Sequence, residues 1–573
     1  MKPPVGLSDF RALIEFKDPQ GEPYLFVDKS LFAKEIIDDP SSVILINRPR
    51  RFGKTLNLSL LHHFFANEID DKSTADLFLK LKIYEHKEYM KYQGQFPVIF
   101  LTFKDIKAND FNTSYEKFRE LIRELYRTHE KPVKSSSELS NSEKEDYQLI
   151  LDKKASDTDI SNSLKKLTYY LNKVYGVKPI VLIDEYDTPI QAAYLEKYYK
   201  EMVTFMREFL GAGLKDNTYL NKAILTGILR VSKESLFSGL NNLSVYTLLD
   251  SHYGEYFGFT EIEVIKLLEK TSLKKALDEV RNWYNGYQAG NIVIYNPWSI
   301  VNYIHKKGQL QPYWVNTSDN ALIKDLIIQS STHFKAQFES LLQGEAVERL
   351  MSETIVFNHL EGNESALWTL LLMSGYLKVT SIKQTDQGPN CQLEIPNKEV
   401  KGLYQMFIAQ WLSGLNDANA FNIFLNDLLN GNMENFEEHL RRITLQTFSI
   451  HDVTGKQAEK FYHGFMLGLV SGVDNYYKIE SNKEAGLGRY DIILAPNDLK
   501  KIGIILEIKS IDSMNPEALK QAANDAIEQI DKRQYTATPI LRGITNFLKI
   551  GIAFSGKELV LTYRKETQAH GAT

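Results

Sequence analysis

Four short apolar runs punctuate the first half of the chain: Val43-Ile44-Leu45-Ile46, Val98-Ile99-Phe100-Leu101, Ile180-Val181-Leu182-Ile183 and Ala223-Ile224-Leu225-Thr226. They are too short for helices and show no polar alternation, so they predict strands buried on both faces of a parallel sheet. Amphipathic stretches between them, such as Leu56 to Phe65 and Tyr115 to Tyr126, predict helices. Strands spaced by helices predict a doubly wound α/β unit over residues 1–310. Lys131 to Asp159 is polar and carries Ser135-Ser136-Ser137; it reads as a solvated insertion or flexible loop. From Trp314 to Leu445 the pattern is mostly helical with few strand signals, and Gln384 to Asn390 is a turn region, so 311–450 reads as a helical lid and connector.

The pattern changes near His451. A helix is expected over Lys456 to Val470, then strands at Tyr476 to Asn482, Arg489 to Leu494 and Ile502 to Ile508. A helix from Asn515 to Lys532 and a strand from Lys549 to Phe554 follow. This is a small αβββαβ unit over 451–573, and the chain shows no internal repeat.

Bulk properties narrow the function. With 573 residues the chain is too long for one core. Aromatics make up 12%, which reads as core and half-buried tyrosines rather than a base-stacking surface. The net charge of −5 excludes a protein whose whole surface coats nucleic acid. Any such contact is a local patch, or depends on metal to offset carboxylates. One cysteine, Cys391, excludes intrachain disulfides and cysteine zinc sites. No apolar run approaches membrane-spanning length and residues 1–11 have no signal core, so the chain reads as cytoplasmic with no membrane partner.

Arg48-Pro49-Arg50-Arg51-Phe52-Gly53-Lys54-Thr55 follows a buried strand and precedes a helix, the setting a phosphate-binding loop needs. The candidate nucleotide contacts are Arg51, Phe52, Gly53, Lys54 and Thr55: Lys54 for the β- and γ-phosphates, Thr55 for Mg²⁺. Arg48 replaces the usual first glycine and Pro49 removes an N–H donor. Downstream, the apolar strand ending Ile183-Asp184-Glu185 offers Asp184 as a Mg²⁺ ligand and Glu185 to polarise the attacking water. Arg230, after the strand 223–226, is a candidate for transition-state charge or a plain surface ion pair.

Near the C-terminus Asp491 opens one strand, and Glu507 and Lys509 share one face of the next. Two carboxylates suit Mg²⁺ or Mn²⁺, and a lysine beside them can orient water and offset phosphate charge. Charges inside an Ile/Leu run are costly without such a purpose; the alternative is a structural Glu–Lys pair on an edge strand. Glu484 is a further metal-ligand candidate or a solvated turn residue. Glu459, on the preceding helix, is an accessory acid candidate, and His463 reads as packing. Gln529 lies beside the apolar face of the later helix, and Tyr535 follows its end.

Residues 24–30, 47–55, 182–187, 226–232 and 295–299 together resemble the AAA-ATPase-like family of bacterial proteins, in which the first P-loop glycine is typically arginine too. That resemblance covers about residues 7 to 300 and implies a P-loop AAA-like fold with nucleotide at Gly53, Lys54, Thr55, Asp184 and Glu185. The segments 484–491, 505–509, 528–530 and Tyr535 resemble the PD-(D/E)XK nuclease superfamily. This implies Asp491, Glu507 and Lys509 as the catalytic core, with Gln529 and Tyr535 accessory. The expected function is an ATPase coupled to a metal-dependent nuclease acting on nucleic acid, DNA first, with ring-like self-association possible by fold analogy. The alternative is a nucleotide-dependent switch that binds ATP and nucleic acid with little catalysis.

Overall fold

The computed structural model describes residues 3–18, 21–231, 242–315, 321–342, 344–353, 360, 363–413, 418–447, 458–470, 473, 476–481, 484–485, 488–537, 539 and 543–567. The chain forms two compact units: Met1–Leu326 with Ala346–Val400, and Ile327–Glu345 with Lys401–Thr573.

The first unit holds a five-stranded sheet made of β1 (Val43–Asn47), β2 (Val98–Thr102), β3 (Ile180–Asp184), β4 (Lys222–Gly227) and β5 (Leu243–Tyr246). Its order is β2-β3-β4-β1-β5, and every pairing is parallel. The four apolar runs are thus strands, each buried as their composition demands. The helix Lys54–Phe65 lays Leu58, Leu61 and Phe64 against Ile44, Ile46, Leu182 and Ile224. Helices Phe111–Thr128 and Tyr199–Leu214 meet through Phe118, whose ring lies 4.7 Å from Phe205 and 4.8 Å from Phe209. Because β4 lies between β1 and β3, the carboxyl ends of all three strands converge, and open α/β sheets bind ligands at such ends.

The polar stretch 131–159 is helical, not a loop. Helices Glu130–Ser135, Asn141–Leu151 and Asp157–Ser161 fill it. Its serines and acids form capping boxes at Ser140/Glu143 and Ser156/Asp159. Val133, Leu139, Tyr147, Ile150 and Ala155 are its buried anchors. The region after 314 also departs from expectation: β9 (Val347–Leu350), β10 (Lys378–Thr385) and β11 (Gly388–Glu394) form a sheet, after a smaller one of β6 (Phe259–Thr260), β7 (Tyr287–Ala289) and β8 (Ile292–Tyr295). The expected turn at 384–390 is the β10–β11 hairpin. Helices such as Glu364–Met373 and Met433–Thr447 make up much of the rest.

In the second unit, β12 (Tyr477–Ser481), β13 (Ile492–Pro496), β14 (Gly503–Ser510), β15 (Asn546–Ser555) and β16 (Glu558–Thr567) form a mixed sheet in that order. β14 and β15 run parallel and the other pairs antiparallel. The helices Ala458–Val470 and Pro516–Lys532 stand where the periodicity predicts, the second capped by Asn515. β16 was not expected. It pairs with β15 over its full length, but its outer half, Tyr563-Arg564-Lys565, is exposed and polar, as suits an edge strand.

Gly551 on β15 lies opposite Glu507. A Cβ there would stand 2.1 Å from the Ala523 carbonyl oxygen on the helix Pro516–Lys532, so helix and strand touch backbone to backbone. Gly551→Val is expected to destabilise the second unit by about 3 kcal/mol or more, because a helix carbonyl cannot rotate aside. A denaturant midpoint unchanged from wild type would contradict this.

Candidate nucleotide and metal sites

The loop after β1 turns sharply. Arg51 (φ 66) and Gly53 (φ 85) are left-handed, whereas Arg48 is not among the positive-φ residues, so glycine is dispensable at that first position. The Arg48 side chain is fully buried and points into the fold. It donates to the carbonyls of Asn47 (2.8 Å), Tyr246 (3.2 Å), Thr247 (2.8 Å) and His252 (3.0 Å). Burial lowers it to about 10, which leaves it charged at neutral pH.

Lys54, at the helix start, is buried and donates to the carbonyls of Arg48 (3.0 Å) and Pro49 (2.8 Å). Two of its three protons are used within the loop, leaving one for a ligand. Desolvation lowers its pKa, opposed by Asp184, Glu185 and Asp187. The Thr55 hydroxyl donates to Asp184 Oδ2 at 2.6 Å, and the Thr226 hydroxyl to Oδ1 at 2.7 Å. The end of β4 therefore fixes the carboxylate that faces the loop. Thr226 closes the apolar run 223–226, and a polar residue at the end of such a strand is the sequence signal of this role.

Glu185 adopts φ 52, an uncommon conformation for a non-glycine residue at a strand end. Its carboxylate accepts from the Thr188 hydroxyl at 3.2 Å. Asp187, in the same motif, is buried and accepts from the amides of Ile228 (3.0 Å) and Leu229 (2.8 Å), clasping the loop after β4. Burial raises its pKa. Arg230 lies 3.5 Å from Glu353, so its recorded partner is an acid from the 346–400 segment. Phe52 is fully buried against Tyr287, and Arg51 lies over Trp298 at 4.3 Å. These two shape the loop through packing. The residues suit a nucleotide: a helix start with unpaired N–H groups, a lysine with a proton to spare, and a hydroxyl–carboxylate pair for Mg²⁺.

In the second unit the β13–β14 register, extended one step, sets Asp491 opposite Glu507. Asp491 Oδ2 accepts from the Ile508 amide at 2.8 Å, between Glu507 and Lys509. Glu507 is 2% exposed, and its Oε1 accepts from the Gln529 amide. Lys509 Nζ stands 3.7 Å from Glu507 and donates to Gln529 Oε1 at 2.7 Å. One glutamine amide therefore pins both charged groups, and Tyr535 Oη lies 3.3 Å from its nitrogen. Asp491, Glu507, Lys509, Gln529 and Tyr535 are brought together. Glu484 begins the small hairpin 484–485/488–489, and its side chain lies outside the described residues.

His463, expected to be packing, sits 3.1 Å from the Asp491 carbonyl and 2.9 Å from the Ser481 hydroxyl. Glu459, one turn earlier and exposed, adds negative potential at both site acids. Burial raises the Asp491 carboxyl. Burial and the neighbouring Asp491 charge push Glu507 up to about 8, against Lys509. Glu507 Oε2 is buried with no hydrogen-bond partner among the described residues. An orphaned buried carboxylate oxygen beside a second carboxylate is what a divalent cation would satisfy. Among the described residues no group of three or more His, Cys, Asp and Glu side chains could hold a metal ion.

The pKa direction makes a prediction. Folding raises Glu507 from 4.5 to about 8, so the metal-free folded state binds a proton that the unfolded chain lacks within that window. Its stability contribution is therefore present at low pH and lost as pH rises toward 8. Cation binding must displace this proton, so Mn²⁺ affinity is expected to rise with pH up to about 8 and then level off. Calorimetric titrations at pH 6, 7 and 8 in buffers of different ionisation enthalpy check this; affinity independent of pH contradicts it.

The first unit has the parallel sheet and phosphate-loop setting of a P-loop ATPase, and the second places a lysine and two acids on a mixed sheet of nuclease type. Residues 4–237 match the family described as predicted AAA-ATPase, and residues 457–564 match the PD-(D/E)XK nuclease superfamily. The chain carries an AAA-ATPase-like domain and, C-terminally, a PD-(D/E)XK nuclease superfamily domain. An uncharacterized protein in the vnfD 5′ region of Azotobacter chroococcum mcd 1 is 26% identical over 401 residues, 70% of this chain and 68% of that protein. A Walker-type ATPase of Pyrococcus abyssi aligns with a TM-score of 0.33 at 16% identity, over 65% of this chain and 93% of that chain. No helix among the described residues is long and apolar enough to cross a membrane.

Proposed function

We propose that this protein binds and hydrolyses ATP in the domain spanning 1–310 and cleaves nucleic acid, DNA first, in the domain spanning 451–573, with cleavage gated by nucleotide state. The observation that carries the nuclease reading is the orphaned Glu507 Oε2 beside Asp491, with Lys509 held by Gln529. A divalent cation held by Asp491 and Glu507 supplies charge neutralisation and Lewis acidity at the scissile phosphate. Lys509 is set to orient the attacking water and to offset negative charge as the phosphorus becomes five-coordinate. Gln529 keeps Lys509 and Glu507 from collapsing into a closed ion pair, and Tyr535 supports that amide. At the ATP site, Lys54 and the loop amides bind the phosphates, Thr55 and Asp184 hold Mg²⁺, and Glu185 orients water.

One observation favours a second reading, a nucleotide switch with slow turnover. Glu185 is engaged by Thr188, and Arg230 by Glu353, so both groups have protein partners to leave before they act on ATP. Linear, circular and single-stranded DNA and RNA, incubated with Mg²⁺ or Mn²⁺ and with or without ATP, separate the readings. Metal-dependent cleavage that responds to ATP supports the first. ATP binding with no cleavage of any substrate supports the second.

A further inference from the structure

Two contacts tie the phosphate loop to residues 396–399 of the same unit. The Arg50 carbonyl accepts from Trp314 Nε1 at 3.0 Å. The Trp314 amide in turn donates to Glu399 Oε1, and the Ser299 hydroxyl to Glu399 Oε2 at 2.8 Å. Glu399 is 1% exposed, and its bonded partners are neutral: that hydroxyl and the amides of residues 313–315. Such burial of an acid is costly, and its pKa is pushed up to about 7. A second tie runs by packing. Phe52 meets Tyr287 edge-on at 5.0 Å. The residue before Tyr287, Gly286 (φ 101), lies so close to the Pro396 carbonyl that a Cβ would stand 2.2 Å from it. Asn397 bonds the Asn285 carbonyl at 2.9 Å and accepts from the Val400 amide at 3.1 Å.

Both ties end within residues 396–399, where the helix Lys398–Ser413 begins. The first unit ends at Val400, inside that helix. We propose that Trp314 and Glu399 form a positioning node that transmits the conformation of the phosphate loop to the start of the helix Lys398–Ser413, by which the chain leaves the ATPase-like unit. A loop that rearranges around phosphate must move the Arg50 carbonyl or carry Trp314 with it. Trp314 holds the carboxylate that sits in the first turn of that helix. This rests on the nucleotide-binding reading and gives it a route of regulation.

Hydrogen–deuterium exchange on the full chain, with and without ATP and Mg²⁺, tests it. In the wild type ATP is expected to slow exchange at 48–56 and to change it at 398–413. Trp314→Phe keeps an aromatic ring, smaller than the indole, but loses the Nε1–H donor. It is expected to retain the response at 48–56 and to lose about half or more of the response at 398–413. If its melting curve shows that it does not fold, Glu399→Met, which removes both acceptor oxygens at similar volume, is read in its place with the same expectation. A 398–413 response equal to wild type in the folded variant overturns the node alone. So does wild-type protection at 48–56 with no response at 398–413. No protection at 48–56 in the wild type sinks the nucleotide reading and the node with it.

Discussion

Replacing Asp491 with asparagine is expected to lower metal-dependent cleavage by about 10³-fold while leaving the fold intact or slightly more stable. The asparagine oxygen can still accept from the Ile508 amide, which holds Asp491 at 2.8 Å, so the β13–β14 geometry survives. What is lost is the Asp491 charge beside the orphaned Glu507 oxygen, one of the two carboxylates of the site. Without cation, the Asp491 charge disfavours ionisation of the buried Glu507 and is a cause of its raised pKa. Removing that charge relieves the conflict. A structural ion pair would behave oppositely: its loss would destabilise the domain and leave any cleavage in proportion to the folded fraction. Initial cleavage rates beside thermal melts separate the two. Gln529→Ala is expected to act more mildly, by about 10–100-fold, because it orients the site from behind.

Lys54→Ala is expected to weaken ATP binding by about 10–100-fold, the cost of removing a charge-assisted hydrogen bond from a desolvated site. The same lysine ties the carbonyls of Arg48 and Pro49, so its loss also loosens the loop before any ligand arrives. The variant should still cleave nucleic acid in the presence of metal, but with a rate that no longer depends on ATP. Calorimetric titration with ATP and Mg²⁺ reads the first effect, and cleavage with and without ATP the second. Unchanged ATP affinity would place the nucleotide elsewhere.

The sequence carried the sheet because buried parallel strands announce themselves as unbroken apolar runs. Val43–Asn47 and Ile180–Asp184 are such cases. It also carried the acid–lysine set, since Glu507 and Lys509 interrupt an isoleucine run at strand spacing. It failed where the local signal was weak or ambiguous. The 131–159 stretch looked like loop because its serines and acids are capping residues, which share their composition with turns. β9 to β11 were missed because Lys378–Thr385 is mostly polar and half-exposed, with Val379 its one buried residue. Arg48 departs from the general phosphate-loop pattern though not from the family it resembles, and the four carbonyls its buried guanidinium meets could not be read from the sequence. Partners such as Trp314 and Glu399 are separated by 85 positions, and no local pattern marks that pairing.

Mn²⁺ binding to the nucleotide-free full chain, wild type against Asp491→Asn, tests the central claim most directly. Calorimetry on the wild type should report a cation bound with proton release at pH 7, and the variant should lose that site while its melting temperature holds. Equal binding in both proteins would mean that Asp491 and Glu507 share no cation, and the C-terminal domain would have to act, if at all, without this metal site.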